Sequence, residues 1–347
     1  MNILLSDTKT VYEHLQDDYS RWLYEKRVMW SLTGDSAYVN EITSSIVDAN
    51  GIEELMKKAE QVSDRLVIRG VGNDYWIIKR LYPGLDFKLF VDNDPTKQHR
   101  IIDGKQVITP DEFYEHYRDH YVFINSTSAN AEIKEELKQH GIPEEHMINL
   151  GKCYEDICDK QYFDKEIMKK SCDEIFIDGG CYDGRTIYQF VRWCDGDYKK
   201  IYSFEPDPGN YKLVEKRIKA KPLSGVKLLN KGLWNESTEI KFVDDGTQGA
   251  RISDNGQTVI QTTTIDETVG DDRVTFLKLD VEGAEYNALL GAEHAITTYR
   301  PKLAISVYHK PEDIFEIPEL ILSMHNDYKF YLRHYQLSPN ETILYAV

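Results

Sequence analysis

The chain has 347 residues, and its 42 lysines and arginines against 59 aspartates and glutamates give a formal net charge of −17 at pH 7. This charge argues against nucleic acids and anionic membrane surfaces as partners, because they carry the same sign. The sequence has no apolar run of the ~20 residues that a membrane span needs, and its length predicts about two domains.

Residues 1–63 are predicted to form a helical region. Apolar residues recur among charged ones from about Val11 to Trp30, and a second amphipathic pattern runs from about Val39 to Lys58, after the turn signal Gly34-Asp35. No pattern here indicates chemistry. We therefore expect these helices to cover a domain face or an oligomer contact, and a homo-oligomer stays open.

A small Rossmann-like domain is predicted for residues 64–150. An apolar strand leads into Gly70-x-Gly72, and the next strand ends in Asp92, 20 residues after Gly72. An acid at this position normally binds ribose hydroxyls, but Tyr75 replaces the third glycine of the dinucleotide motif. The pattern resembles the small Rossmann-like modules beside bacterial sugar-modifying enzymes. It allows a nucleotide or nucleotide-sugar site, or a scaffold that positions substrates or subunits, and we prefer the scaffold.

Residues 151–171 are rich in charged and aromatic side chains, and we predict a connecting helix. Five cysteines, confined to residues 153–194, form an odd set that is typical of free thiols in a reducing compartment. Only Cys153 and Cys158 approach the spacing of zinc ligands. The thiols, with an N-terminus that does not have the pattern of a signal peptide, predict a cytoplasmic location.

The last stretch, residues 172–347, begins with a strand–loop–helix pattern from Ile175 to Phe190. A short apolar run is followed by a glycine-rich turn and then by helical periodicity. This is the first half of a nucleotide-binding βαβ unit, in which ligands bind beyond the carboxyl ends of the strands. The residues expected to surround the ligand are Asp178, Gly179, Gly180, Asp183, Gly184 and Thr186.

Two further strand ends carry polar residues suited to a nucleoside. Glu205 ends the strand of residues 201–204 and follows Gly184 by 21 residues, the position of an acid that binds ribose hydroxyls. Asn230 ends the next apolar run, where it lies near an adenine or simply ends the strand at a turn. Folds that bind NAD and folds that bind S-adenosylmethionine share this arrangement.

Three carboxylates follow the predicted strand Val274–Leu279. Asp280 ends this strand, and Glu282 and Glu285 flank the turn at Gly283. Carboxylates this close together allow a metal with oxygen ligands, such as Mg²⁺. We prefer the interpretation without a metal, in which Asp280 contacts cofactor or substrate and the glutamates fix the loop.

A histidine stands at the end of the next apolar strand, residues 303–307. It is His309, between Tyr308 and Lys310. Histidine has an ordinary pKa near neutrality and suits a general base, although a lone histidine is also a common structural residue. Further on, Arg333 lies in a predicted hairpin, where it contacts a sugar or carboxylate or is simply solvated.

Four of these segments together resemble the FkbM-type S-adenosylmethionine-dependent methyltransferases, from about Cys172 to the end of the chain. Many members have Gly-Ala-Asn in the first loop, where this chain has Gly180-Cys-Tyr182, and this leaves the role of Tyr182 open. The segments are Asp178–Gly184, Phe204–Pro206, Phe276–Glu285 and Pro301–Lys310.

The resemblance implies a doubly wound α/β methyltransferase domain with S-adenosylmethionine as cofactor. It implies a small-molecule or saccharide acceptor, with transfer to a hydroxyl oxygen of a sugar or secondary metabolite. Asp178, Asp183 and Thr186 would surround the amino-acid end of the cofactor and Glu205 its ribose. The expected catalytic residues are His309 and Asp280, and the expected substrate-binding residues are Glu282, Tyr308, Lys310 and Arg333.

Two other functions compete with this one. An enzyme dependent on NAD or a nucleotide sugar would act through Gly70 and Gly72, and a catalytic Tyr-x-x-x-Lys or equivalent would be expected beside that domain. Tyr162-Phe-Asp-Lys165 has the wrong spacing for it, which weakens this alternative. A non-catalytic nucleotide-binding module is the third reading. Acids and a histidine at strand ends argue against it.

Overall fold

The computed structural model describes residues 5–127, 129–243, 251–252 and 258–347. The chain forms two compact units. The large unit comprises Met1–Ile42, Lys160–Tyr335 and Pro339–Val347, and the small unit comprises Thr43–Asp159 and Gln336–Ser338. Parallel sheets with helices between their strands confirm the predicted α/β class, with helices at the N-terminus.

The N-terminal region forms more and shorter helices than predicted. The first predicted helix is interrupted because Leu15 bridges to Phe330 and Asp17 caps the following helix by accepting from Ser20 N at 2.7 Å. The second is interrupted at Gly51. The observed helices are α1 (Leu5–His14), α2 (Asp18–Thr33), α3 (Ser36–Ala49) and α4 (Ile52–Gln61).

The small unit is built on a six-stranded sheet in the order β3-β4-β2-β1-β5-β6, parallel except for β3. Its strands are β1 (Leu66–Arg69), β2 (Leu89–Val91), β3 (Ile101–Ile102), β4 (Lys105–Ile108), β5 (Tyr121–Ile124) and β6 (Met147–Asn149). Its later helices are α5 (Asn73–Leu81), α6 (Pro110–His116), α7 (Asn130–Gln139) and α8 (Leu150–Cys158). The order in which strands are added to the sheet reverses between β1 and β5, and open sheets bind ligands at such a switch point.

The large unit is built on a seven-stranded sheet in the order β16-β17-β15-β14-β7-β8-β9, and a second sheet has the order β10-β13-β11-β12. The strands are β7 (Glu174–Gly179), β8 (Tyr198–Phe204), β9 (Val226–Leu229), β10 (Gly232–Leu233), β11 (Glu239–Val243), β12 (Arg251–Ile252), β13 (Thr258–Thr263), β14 (Phe276–Leu279), β15 (Lys302–Ser306), β16 (Phe330–His334) and β17 (Thr342–Ala346). The helices are α9 (Arg185–Trp193), α10 (Pro208–Ala220), α11 (Ile265–Val269), α12 (Glu285–Leu290), α13 (Glu293–Tyr299) and α14 (Asp313–Met324).

The centre of the large sheet is parallel and buried on its faces. Strands β9, β8, β7, β14 and β15 run in one direction, and β17 is antiparallel to its neighbours. All six residues of β7 are buried, as expected for a central strand between helices. The order in which strands are added to this sheet reverses between β7 and β14. The loops after these strands and after β8 therefore meet at the ligand-binding edge.

The division into units differs from the predicted domains at two places. Residues 1–42 belong to the large unit because Ser20 Oγ accepts from Leu332 N at 2.9 Å and Arg333 pairs with Asp17 at 2.7 Å. The predicted connecting helix of residues 151–171 ends at Cys158, and residues 159–171 contain turns but no helix. One reason is Tyr162, whose φ of +67° is incompatible with a helix.

Within the described ranges, none of the helices combines the length and the apolarity that a bilayer span requires.

Candidate functional site

A buried ion pair lies at the centre of the ligand-binding edge of the large unit. Lys278 of β14 stands in register with Asp178 of β7, and its Nζ lies 3.2 Å from Asp178 Oδ1, with side chains 1% and 0% exposed. Thr186 Oγ1 donates to the other carboxylate oxygen. Burial alone would lower the pKa of Lys278, but Asp178 and Asp280 raise it overall.

This pair corrects the role predicted for Asp178. Its carboxylate is fully buried and paired with Lys278, so it is not presented to the ammonium group of a cofactor. Lys278 Nζ also donates to the carbonyl oxygens of Gly179 and Gly180, at 2.9 and 2.7 Å. Asp178 therefore acts through Lys278 to fix the first loop.

The first loop passes close to the loop after β14. Gly180 has φ +75°, and a Cβ there would lie 1.9 Å from the carbonyl oxygen of Asp280. Gly179 is equally confined, since its Cβ would lie 2.7 Å from Leu279 Cδ2. These glycines bring the loops after β7 and β14 together, which a side chain would prevent.

Glu205 lies directly beyond β8, beside this loop. Its Oε2 accepts from Tyr182 N at 2.8 Å and its Oε1 accepts from Asp207 N at 3.0 Å. Burial raises the pKa of Glu205 to about 7. Each oxygen accepts one N–H and retains further acceptor capacity, so the carboxylate can still accept from two ligand hydroxyls. The backbone N–H of Tyr182 thus connects the first loop to Glu205.

The remaining predicted cofactor residues surround this position. Asn230 is exposed and its Nδ2 donates to the carbonyl oxygens of Glu205 and Pro206, at 2.8 and 3.1 Å, so it fixes the loop after β8. Asp183 pairs with Arg185 at 3.0 Å and Arg217 at 3.3 Å. Asp183 is thus neutralised by arginines.

Asp280 is the centre of a hydrogen-bonded network at the end of β14. Its Oδ2 accepts from Tyr162 Oη at 2.7 Å, and its Oδ1 lies 2.9 Å from Ser306 Oγ and 3.1 Å from Tyr308 Oη. Burial would raise its pKa, but Lys278, nearby cations and these hydroxyls lower it overall. Asp280 is therefore ionised, and its side chain is 22% exposed.

His309 lies among three carboxylates. Its Nδ1 is 2.9 Å from Glu285 Oε1, and its Nε2 is 3.3 Å from Glu282 Oε2 and 3.6 Å from Asp280 Oδ1. Burial would lower the pKa of His309, but these carboxylates raise it to about 11. The role of His309 as general base stays a prediction, and it requires the imidazolium to lose its proton first, because an imidazolium has no lone pair to accept one.

A metal ion is the other cation that suits this cluster. Asp280, Glu285 and His309 each place one ligand atom within 4.8 Å of the others. Glu285 is fully buried, and within the described part of the chain its Oε2 has no hydrogen-bond partner. Two carboxylates and an imidazole suit a transition metal better than Mg²⁺, which prefers oxygen ligands.

Two further carboxylates at this edge were not predicted from the sequence. Burial raises the pKa of Asp313, at the start of α14, to about 7, and it raises the pKa of Glu341 to about 7. Glu341 accepts from Gln161, and its Oε1 lies 3.3 Å from Tyr308 Oη. Its signal in the sequence is an acid in the turn of the hairpin, directly before β17.

The predicted substrate residues divide into two groups. Glu282 and Tyr308 lie in the network around Asp280, and Lys310 is exposed beside it. Arg333 is a correction, because its guanidinium pairs with Asp17 at the start of α2 and does not belong to the network. It anchors the N-terminal helices instead.

The burial of Asp313 predicts how the free energy of unfolding depends on pH. Its raised pKa means that the folded state holds the proton more tightly than the unfolded state, so wild-type stability falls as pH rises from about 4 to about 7. Asp313→Asn stays neutral and should gain up to about 4 kcal/mol relative to wild type over this range. Urea unfolding at several pH values measures the difference.

The matched control is Asp271→Asn, which changes an exposed carboxyl. Its difference from wild type should vary little with pH. A pH-independent difference between Asp313→Asn and wild type would contradict the buried, protonated state of Asp313.

Comparison with known proteins identifies a domain family for part of the chain. Residues 178–335 match the family model described as methyltransferase FkbM domain. Residues 178–335 are an FkbM methyltransferase domain. The FkbM domain therefore includes Glu205, Asp280 and His309, and the resemblance seen in the sequence is confirmed. Residues 62–148 match a model described as C2185-like, N-terminal.

Solved structures also match the chain, at low identity and with TM-scores below 0.5. A methyltransferase FkbM from Methylobacillus flagellatus KT is 21% identical, with a TM-score of 0.49, over 90% of this chain and 100% of that chain. An rRNA methylase from Streptococcus thermophilus is 14% identical, with a TM-score of 0.34, over 55% of this chain and 90% of its own. Fibrillarin from Aeropyrum pernix, in complex with S-adenosyl-L-methionine, is 11% identical, with a TM-score of 0.32, over 51% of this chain and 67% of its own. No curated protein matches the chain.

Proposed function

We propose that the FkbM domain transfers a methyl group from S-adenosylmethionine to a hydroxyl oxygen of a sugar or secondary metabolite. The observation that carries this proposal is the meeting of the glycine loop, Glu205 and Asp280 at the point where the chain turns back in the seven-stranded sheet. Glu205 fits the cofactor, because its carboxylate retains acceptor capacity for a pair of ribose hydroxyls.

The cofactor, when bound, supplies an electrophilic methyl group on a positively charged sulfur. The chain supplies the binding groups: Glu205 accepts from the ribose hydroxyls, and Lys278 holds the first loop in shape from beneath. The carboxylates at this edge favour a cationic ligand electrostatically.

The acceptor hydroxyl is proposed to donate to Asp280, which is partly exposed beside Glu282. Asp280 takes the proton and passes it to Tyr308, whose own proton moves to Glu341, since Tyr308 Oη lies 3.1 and 3.3 Å from the two carboxylates. Glu341 suits this role because its pKa is about 7. Hydroxyl-rich acceptors suit an edge lined by carboxylates, which are hydrogen-bond acceptors.

Tyr308→Phe tests the proton path. Turnover should fall at least about tenfold, since positioned proton transfer contributes about 10²–10⁴-fold, while affinity for S-adenosylhomocysteine stays at the wild-type value. Equal losses of turnover and affinity would instead give Tyr308 a structural role.

The acceptor is tested with S-adenosylmethionine carrying a labelled methyl group. The full chain is incubated with small-molecule and saccharide extracts, and labelled products are treated with base, which releases methyl esters and leaves methyl ethers intact. Label in base-stable saccharides supports the proposal. Label only in esters, amines or nucleic acid contradicts it.

A cytoplasmic location is also part of the proposal, and it is supported by the five cysteines, which all lie among the described residues and form no disulfide there. The rival functions, an oxidoreductase or nucleotide-sugar enzyme and a non-catalytic module, both predict no methyl transfer.

A further inference from the structure

The small unit has a cavity of about 260 Å³ at the carboxyl edge of its own sheet. It lies beyond the ends of β1, β2 and β5, where the chain turns back between β1 and β5. Open parallel sheets bind ligands at this position. The lining residues used below are Arg69, Gly72, Asp92, Lys97 and Asn125.

Asn125 is the first sign of a missing ligand. It follows β5 directly, lines the cavity and is 2% exposed. Neither its Nδ2 nor its Oδ1 has a hydrogen-bond partner among the residues that the structure describes. A buried amide left without partners costs free energy, and native proteins rarely keep one without a purpose. The cavity therefore offers one unpaired donor and one unpaired acceptor to a polar ligand.

The start of α5 is the second sign. Gly72 is the N-cap residue and provides no side-chain acceptor, so the partial positive charge of the helix start faces the cavity uncapped. Two cations are close by, each paired with a carboxylate: Arg69 Nη2 lies 3.0 Å from Glu136 Oε2, and Lys97 Nζ lies 3.3 Å from Asp92 Oδ2. Asp74, in the first turn of α5, also lines the cavity, and its carboxylate accepts from Thr127 Oγ1 at 3.3 Å. The uncapped helix start is therefore the feature that favours an anionic group such as a phosphate.

Asp92 is the third sign, because it repeats the arrangement of Glu205. Asp92 Oδ2 accepts from Val71 N at 2.9 Å, and its Oδ1 accepts from Asp94 N at 2.9 Å. Glu205 likewise accepts one N–H from the loop after the preceding strand and one from the residue two positions on. An acid in this position normally binds ribose hydroxyls.

The missing third glycine does not close this cavity. Tyr75, which replaces it, packs against Phe90 with ring centroids 5.0 Å apart, and its hydroxyl donates to Asp103. Its side chain lies over β2, and Tyr75 is not part of the cavity lining. Tyr75 thus removes the close helix–strand packing of dinucleotide binders and leaves the ligand edge open.

We propose that the small unit is a second binding site, for a nucleoside diphosphate. The phosphates lie at the start of α5 beside Lys97, the ribose hydroxyls donate to Asp92, and the Asn125 amide pairs with a polar group of the ligand. This site is separate from the cofactor site of the FkbM domain, and it replaces our preference for a scaffold.

Calorimetry of the full chain with ADP, UDP and inorganic phosphate tests the proposal. We expect at least one of the two nucleotides to bind with a micromolar Kd. Asn125→Ala and Asp92→Asn should each weaken it about tenfold or more, the loss expected for buried hydrogen bonds. Gln139→Ala, an exposed amide on α7, is the matched control and should leave the Kd unchanged.

Glu205→Gln separates this site from the cofactor site. Nucleotide binding that survives Glu205→Gln and is lost in Asn125→Ala supports the proposal, whether or not S-adenosylhomocysteine binds. Binding of phosphate alone, of no ligand, or of nucleotides lost only in Glu205→Gln overturns it. Thermal unfolding of Asn125→Ala and Asp92→Asn verifies folding, and nucleotide binding by two folded variants at the wild-type Kd also overturns it.

Discussion

Lys278→Met is expected to lower the free energy of unfolding by about 3–5 kcal/mol, the usual cost of breaking a buried ion pair from one side. The variant leaves Asp178 fully buried without its cation, and it removes two hydrogen bonds to the carbonyl oxygens of Gly179 and Gly180. Urea unfolding followed by circular dichroism measures the change.

Two controls separate the ion pair from other effects. Asp178→Asn combined with Lys278→Met removes both charges and should be less destabilised than Lys278→Met alone. Lys170→Met breaks a surface pair with Asp195, whose side chains are 43% and 64% exposed, and should cost less than about 1 kcal/mol. Similar losses in Lys278→Met and Lys170→Met would show that the buried pair is not important for the fold.

Gly180→Ala is expected to destabilise the protein and to abolish binding of S-adenosylhomocysteine. Its φ of +75° is strained for alanine, and the new Cβ would lie 1.9 Å from the carbonyl oxygen of Asp280, so one of the two loops must move. Thermal unfolding and calorimetry measure the two effects.

Gly196→Ala is the matched control for this substitution. Gly196 has φ +77°, but a Cβ there meets nothing within 4 Å, so only the backbone strain of about 1–2 kcal/mol remains. Gly180→Ala should cost about 1–3 kcal/mol more, as crowding does in packed regions. Equal costs would contradict the close approach of the two loops.

The strand ends at the ligand edge were predictable from the sequence. Short apolar runs that end in Asp178, Glu205 and Asp280 predicted the strands. Parallel strands separated by helices have their carboxyl ends at one edge of the sheet. The glycines after Asp178 predicted the loop. These predictions needed only local periodicity and the general rules of α/β sheets.

The partners of these residues were not predictable in the same way. Lys278 lies inside a buried apolar strand, and its partner Asp178 is defined by the register of β14 against β7, which the sequence alone does not determine. The one sequence signal for this pair was a lysine, Lys278, inside an apolar run. The charge of His309 likewise depends on three carboxylates that converge only in the fold.

The predicted domain boundaries differed for a related reason. The amphipathic pattern of the first helices shows that they bury one face, but not against which sheet. The contacts of Asp17 and Ser20 with Arg333 and Leu332 connect residues more than 300 positions apart in the chain, and no local signal predicts them.

The most direct test of the cofactor site is calorimetric binding of S-adenosylhomocysteine at pH 8, where Glu205, with a pKa of about 7, is ionised. Wild type and Glu236→Gln, an exposed control, should bind with the same Kd. Glu205→Gln should weaken binding at least about tenfold, because hydrogen bonds to a charged group are worth about 1.5–3 kcal/mol. No binding by wild type, or equal binding by Glu205→Gln, would contradict the site proposed at the end of β8.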